Sequence, residues 1–280
     1  MKPAIAVFAF SLCLAGLGID TSFAQTDAEA YWNEVNKLDW QHPGAEGRLG
    51  QQATIKVPEG FAFLGDAGAK KFLELEGNPP RDNRYILAPT KLNWFSVFVF
   101  EPIGYVKDDE KIDPDELLAT LKESDKAADE ERRRLGLAAL HLDGWFVVPH
   151  YDEETKRLEW ATKLRTENNE LVVNYTIKLL GRSGVMNAIL VSNPSTLEGD
   201  IKEFKSALTE YSFNAGERYA EFRAGDKVAQ YGLAALVVGG AAAAAAKSGA
   251  FKGLAKLIGV GVFGIVAAGV GFFKRLFRRT

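Results

Sequence analysis

The sequence predicts an α+β fold: an antiparallel sheet flanked by helices, followed by a C-terminal transmembrane helical hairpin. Three observations carry this expectation. Four alternating segments between Trp145 and Val191 are joined by turns, capping signatures open helices at Asp113 and Ser195, and two apolar stretches, residues 231–246 and 257–273, close the chain.

From the N-terminus, Lys2 precedes an apolar run over residues 4–17 and then Ser22-Phe23-Ala24, small residues at the positions a signal peptidase reads. Residues 1–24 are therefore expected to be a cleavable signal peptide, and residues 25–214 an exported domain. Cys13 is the only cysteine, so cleavage leaves no thiol for a disulfide, a nucleophile or a thiolate metal site. The fold must then stand on its apolar core.

Residues 26–40 carry Tyr31, Val35 and Leu38 at helical spacing. Residues 53–64 read as two strand pieces joined by a turn at Pro58-Glu59-Gly60. In residues 94–100, Trp94, Phe98 and Phe100 share one face and Phe95, Val97 and Val99 the other, which predicts a central strand buried on both sides. Asp113-Pro114-Asp115-Glu116 places an N-cap, a proline at the first helical position and a capping-box glutamate in order. That helix is expected to reach about Ser124, and a second, highly charged one about Leu135.

Residues 145–148, the turn Asp152-Glu153-Glu154-Thr155 and the alternation of Leu158, Trp160, Thr162 and Leu164 form one predicted hairpin. Val173, Tyr175, Ile177 and Leu179 begin the next, which turns at Gly181-Arg182-Ser183-Gly184 with the glycines expected to supply positive φ. Ser195-Thr196-Leu197-Glu198 has capping-box spacing and precedes Leu197, Ile201, Phe204, Leu208 and Tyr211 on one helical face. Residues 215–230 are expected to be a polar connecting helix.

Charge divides sharply along the chain. Residues 25–226 hold 25 Lys+Arg and 36 Asp+Glu, a net −11, whereas residues 227–280 hold eight basic residues and no acidic one. An acidic body excludes nucleic acid as a partner, and a basic, apolar tail suits anionic lipid head groups. Residues 231–280 are read as a membrane anchor.

Candidate chemistry is sparse. Of the three histidines, His141 lies near Asp143 and His150 near Asp152, so His141, His150 and Asp152 are weak candidates for a metal site. Their spacing matches no compact ligand motif, and ordinary turn residues are the simpler reading. Ser183 is framed by glycines but sits between strands, not at a strand-to-helix elbow. Arg132, Arg133 and Arg134 read as a solvated helix face. Trp94, Trp145, Trp160, Tyr105, Tyr151 and Tyr175 could line a groove, although alternation along strands points to core. No cofactor is expected.

Several local motifs resemble one known family. Leu49-Gly50 through Val57-Pro58-Glu59-Gly60-Phe61, Gly104-Tyr105-Val106-Lys107-Asp108-Asp109, Gly144-Trp145 with Pro149 and Tyr151-Asp152, Leu158-Glu159-Trp160-Ala161, Val173-Asn174-Tyr175 and Leu180-Gly181-Arg182-Ser183-Gly184-Val185 are similar to the motif series of a bacterial family of uncharacterised membrane-anchored proteins, the domain of unknown function numbered twenty-one sixty-seven. The resemblance covers nearly the whole chain after the signal. It implies an exported, membrane-anchored protein and transfers no catalytic residue. In architecture alone, strands followed by a terminal amphipathic helix are similar to the α/β/α domains of photosystem-II oxygen-evolving extrinsic proteins.

Each apolar stretch of the tail is about 25 Å long as a helix, thin but feasible against a hydrocarbon core of about 30 Å. Tyr231, Leu257 and Phe273 bound the two stretches, and Lys274 and Arg275 follow. Ala235, Gly239 and Ala243 are spaced at four, as are Gly264 and Ala268, so two helices could approach closely in lipid. The hairpin is favoured over a single span through residues 257–273 and over a tail lying in the interface. The expected protein is a non-enzymatic binding, sensing or scaffold domain at the outer face of a bacterial cytoplasmic membrane. Its expected partners are the bilayer, with anionic lipids, and a second copy or an envelope protein. The alternative is a membrane-tethered, metal-assisted hydrolase using His141 and His150.

Overall fold

A computed structural model of the chain describes residues 21–78, 80–134 and 139–239. Most of the predicted signal peptide lies outside these residues. So do Ala243, Leu257, Gly264, Ala268, Phe273, Lys274 and Arg275 of the predicted anchor.

Helix α1 (Thr21–Asn36) leads into strands β1 (Glu46–Leu49), β2 (Ala53–Lys56) and β3 (Phe61–Leu64), helix α2 (Asp66–Leu75), and strands β4 (Tyr85–Pro89) and β5 (Phe95–Glu101). Then come helix α3 (Pro114–Arg134), strands β6 (Leu140–Asp152), β7 (Arg157–Thr166), β8 (Leu171–Leu180) and β9 (Val185–Val191), helix α4 (Leu197–Ala207), strand β10 (Tyr211–Phe213) and helix α5 (Leu233–Val238). Seven strands form an antiparallel sheet in the order β3-β4-β5-β9-β8-β7-β6, and β1-β2-β10 form a second sheet. The chain lays down β3 to β5, crosses through α3 to the far edge, and returns as a meander that ends beside β5.

The even burial of β5 follows from that position. Trp94 and Phe98 point into a core shared with the small sheet and α4, where Leu49, Ile55, Tyr175, Phe204 and Leu208 are buried. Phe95 and Val97 point to the opposite face, against Tyr31 and Val35 of α1 and Phe72 of α2. Further along that second face, α3 and α5 cover Leu158, Trp160, Leu180 and Val185 with Leu117, Leu121, Leu233, Leu236 and Val237. The architecture is thus three layers, and the two-sided apolar pattern of residues 94–100 is its signature.

Local chemistry sets the elements as the sequence implies in some places and not in others. Asp113 Oδ1 accepts the amides of Asp115 and Glu116 at 3.0 and 3.1 Å, so the N-cap forms. The helix it opens does not pause near Ser124; α3 is continuous to Arg134 because no glycine or proline interrupts it. At α4, the expected capping box does not form. Thr196 Oγ1 and Ser192 Oγ both donate to Asp200, while Asn193 Oδ1 takes the Ser195 amide at 2.9 Å. Neither Gly181 nor Gly184 has positive φ. Glycine is needed there for close approach: a Cβ on Gly184 would collide with the Glu101 carbonyl oxygen, and one on Gly181 would meet the Phe213 ring at 2.8 Å.

The free edge of β6 is closed at its start by α3. Asp129 Oδ1 accepts the Leu140 amide at 2.9 Å, and the Asp125 carboxylate accepts the Leu142 amide at 3.2 Å.

Two expectations about the end of the domain need correction. Residues 215–230 form no connecting helix; a single 3-10 turn, Tyr219–Glu221, interrupts an otherwise irregular path. Gly216 and Gly225, both at positive φ, break helical continuity there. The first apolar stretch is also not one uninterrupted helix. α5 ends at Val238, and Gly239 caps it in the left-handed conformation (φ 102°). Leu233, Leu236 and Val237 belong to the core of the domain. The four-residue spacing that begins at Ala235 thus meets the end of α5 at Gly239, and Ala243 lies outside the described residues. Among the described residues no helix is long and apolar enough to cross a membrane.

Two predictions follow from this packing. Ending the chain after Gln230 strips Leu233, Leu236 and Val237 from the core, at about 1.5–3 kcal/mol for each buried side chain. Compared with a chain ending at Gly239, it should unfold at much lower urea; equal midpoints would refute the assignment of α5 to the domain. Gly184→Ala should cost about 2–4 kcal/mol through overpacking against backbone, whereas Gly60→Ala, at positive φ in open space, should cost about 1 kcal/mol. The reverse order in urea unfolding would count against the close approach.

Candidate functional site

Two polar constellations stand out, one on each face of the large sheet. The first centres on Glu159 of β7, buried beneath α4. Its side chain takes the Tyr175 hydroxyl from β8 and Lys205 Nζ from α4 at 2.7 Å, and His150 Nε2 of β6 lies 2.7 Å from its Oε1. Register explains the meeting: His150 pairs with Glu159, and Tyr175 pairs with Ala161, the next residue on the same face. Burial pushes the Glu159 carboxyl up, but Lys205, Tyr175 and His150 outweigh it and hold the group below its ordinary range. Tyr175 moves the opposite way, raised by burial and by the carboxylate beside it. Nearby, Arg157 donates to the Leu208 carbonyl at 3.1 Å, tying β7 to the end of α4.

The second constellation lies at the junction with α5. Asp108 Oδ2 accepts Tyr151 Oη at 2.8 Å and Lys156 Nζ at 2.7 Å. Burial pushes Asp108 up, and the bonds from Lys156 and Tyr151 more than reverse it, so the carboxylate is held low; the Tyr219 hydroxyl donates instead to the Val106 carbonyl at 2.8 Å. Lys156 also stands over the Tyr219 ring, 5.1 Å from its centroid. Tyr219 stacks on Tyr105 at 4.4 Å, and Tyr105 on Phe222 at 4.2 Å, so a cation and three rings form one column ending at the surface. Its backbone is fixed too: Tyr105 donates to the Lys227 carbonyl and Ala229 to the Tyr105 carbonyl, both at 2.8 Å.

The predicted metal residues do not converge. His141 and His150 stand near opposite ends of β6, nine residues and roughly 25–30 Å apart at strand rise. His141 Nδ1 lies 2.9 Å from Asp129 Oδ2 of α3, and Asp143 bonds Arg165 instead. Asp152 is used locally, its Oδ1 accepting the Glu154 and Thr155 amides in the β6–β7 turn. A single metal centre built on His141, His150 and Asp152 is thus excluded by geometry. No group of three or more ligating side chains occurs among the described residues.

The aromatic residues divide. Trp94, Trp160 and Tyr175 are core, Trp145 donates its indole N–H to the Pro114 carbonyl at 3.0 Å, and Tyr105 and Tyr151 join the column around Asp108. Ser183 donates to Glu217, and Gly181-Arg182-Ser183-Gly184 is the β8–β9 connection. Arg133 makes only a loose pair with Glu167 at 4.0 Å on an exposed face. The Asp108 and Glu159 centres were not anticipated, because their partners lie on separate elements, from 9 residues apart for His150 and Glu159 to 48 for Lys156 and Asp108, and meet only through strand register and the packing of α4.

Replacing Glu159 tests the first centre. A group held below its unfolded value near 4.3 contributes stability that is present above that pH and lost as the pH falls through the folded value. Glu159→Gln should cost about 2–4 kcal/mol at neutral pH and flatten the acid-side decline in urea stability below about pH 5. Parallel pH profiles for the two proteins would refute the account.

A search of curated proteins gives no match. Among solved structures the chain is similar to the solution structure of cyanobacterial PsbP (CyanoP) from Synechocystis sp. PCC 6803, at 8% identity and a TM-score of 0.34, covering 58% of this chain and 86% of that one. The family model described as "Protein of unknown function (DUF2167)" matches residues 42–271, and the chain belongs to that family.

Proposed function

We propose that the protein is a non-enzymatic binding or scaffold domain held at the outer face of a bacterial cytoplasmic membrane. The observation that carries this reading is the seating of α5. Leu233, Leu236 and Val237 are buried with Leu117 and Leu121 of α3, and Glu110 accepts the Ala234 amide at 3.1 Å. The chain thus passes from a packed core into residues 240–280, which are rich in Ala, Gly and Phe and carry seven basic and no acidic residues. A rigid exit followed by an apolar, basic segment suits a domain held in a fixed pose on lipid, not one on a free tether. The two-helix hairpin over residues 231–246 and 257–273 remains part of the proposal only in its outer portion, since residues 233–238 pack in the domain.

Fractionation tests the reading. Expressed in a bacterium, the full chain should sediment with membranes and resist carbonate extraction, whereas a chain ending at Gly239 should be released soluble and folded. A full chain found in the soluble fraction would end the proposal. A stoichiometric substrate turnover by the chain ending at Gly239 would end its non-enzymatic part.

A further inference from the structure

We propose that residues 218–228 form a lipid-contacting face that docks on an anionic bilayer beside the anchor; this rests on the anchoring reading above. The described residues include three exposed large hydrophobic side chains, and two of them, Phe222 at 39% and Val228 at 40% exposure, flank this loop. Their exposure is held in place by structure. Phe222 is the outermost plate on Tyr105, Val228 is bridged to the Tyr105 backbone, and Gly225 turns the loop at φ 97°. Arg182 grips Asp226 through two bonds of 2.7 Å, and Asp226 also takes the Arg223 amide at 2.7 Å.

The acidic side chains of the loop are engaged within the protein. Glu221 turns inward to the Gly216 and Arg218 amides at 2.7 and 3.0 Å, Glu217 takes the Ser183 hydroxyl, and Asp226 is occupied by Arg182. Arg182 drives Asp226 to a pKa of about 2, so its charge stays committed to that pair. Arg218, Arg223 and Lys227 are exposed in the same short stretch as Phe222 and Val228, with Lys227 Nζ donating to the Pro102 carbonyl at 3.2 Å. Exposed cations in one loop with an exposed aromatic and an exposed aliphatic side chain match the boundary between anionic head groups and acyl chains.

Position agrees with chemistry. From Val228 to the end of α5 the chain can cover at most about 25 Å, so the basic, apolar segment leaves the domain close to this loop. A second copy of the chain is a poorer occupant: two exposed apolar side chains fall far short of the roughly 800 Å² per partner that a stable protein pair buries.

The test uses the full chain with Cys13→Ser and single substitutions Phe222→Cys, Val228→Cys or, as control, Glu167→Cys, each carrying an environment-sensitive fluorophore. Glu167 lies in the β7–β8 turn, at the opposite end of the strands from the β8–β9 turn that holds the loop. With phosphatidylcholine/phosphatidylglycerol vesicles, labels at 222 and 228 should shift to the blue, be quenched by lipid-borne nitroxide and be shielded from iodide. The label at 167 should stay open to iodide, and phosphatidylcholine alone should give a smaller shift. If the chain floats with vesicles but 222 and 228 behave as 167 does, anchoring stands and the lipid face is wrong. Labels shielded from both quenchers would mean a protein partner and overturn the proposal. A chain that does not float at all removes the anchoring reading, and this inference with it.

Discussion

The pairing of β5 with β9 is the constraint on which the remaining structure depends. Seven residue pairs, from Phe95↔Val191 to Glu101↔Val185, join a sheet begun by β3 to β5 to the last strand of the meander, which follows β5 by 90 residues in sequence. Register there decides which side chains reach which face, because a slip of one residue would exchange the two cores. It also brings Gly184 against the Glu101 carbonyl, where only a hydrogen fits. Both polar centres hang from this frame: Glu159 from the face that α4 closes, and Asp108 from the loop that leaves β5 for α3. After the long crossover through α3, β6, β7, β8 and β9 each pair with a neighbour in sequence, and β9 closes the sheet against β5.

Legibility of the sequence followed the range of the interactions concerned. Period-two alternation revealed the meander, the two-sided apolar run of residues 94–100 revealed a buried central strand, and the Asp113 cap revealed the start of α3. Each of these is written within ten or so residues. Strand order was not written locally: residues 53–64 read as two joined strands, yet β2 and β3 enter different sheets. Local capping logic failed at Ser195 because Asn193 Oδ1 takes both its hydroxyl and its amide, while the hydroxyl of Thr196, the residue at the N-cap, donates to Asp200. The apolar run beginning at Tyr231 read as membrane throughout, because burial in a protein core and burial in lipid select the same side chains over a single turn or two.

The candidate centres were less legible than the fold. Residues of the Asp108 column were visible as parts of motifs, in Gly104-Tyr105-Val106-Lys107-Asp108-Asp109 and Tyr151-Asp152, but nothing in either motif places Tyr219 or Phe222 beside them. Histidine attracted notice as the usual metal ligand, and proximity in sequence suggested Asp143 and Asp152 as companions. In the fold, the companions of His141 and His150 are Asp129 and Glu159, each brought in from another element. Residues two apart on a strand share a face but stand roughly 6.5–7 Å apart, farther than the roughly 4.5–5.5 Å between side chains directly opposite, so for His150 the carboxylate across the ladder, Glu159, is the nearer partner.

The carboxylates of α3 at the start of β6 bear on how copies of this protein can meet. An outer strand of 13 residues offers a row of amides and carbonyls that an extended segment of any chain could use to lengthen the sheet. Asp129 and Asp125 already occupy the Leu140 and Leu142 amides, and register shifts along the rest of β6 spoil the even spacing an incoming strand would require. Crowding the protein onto a surface would therefore raise its local concentration without opening a route to continuous, fibre-like growth through that edge.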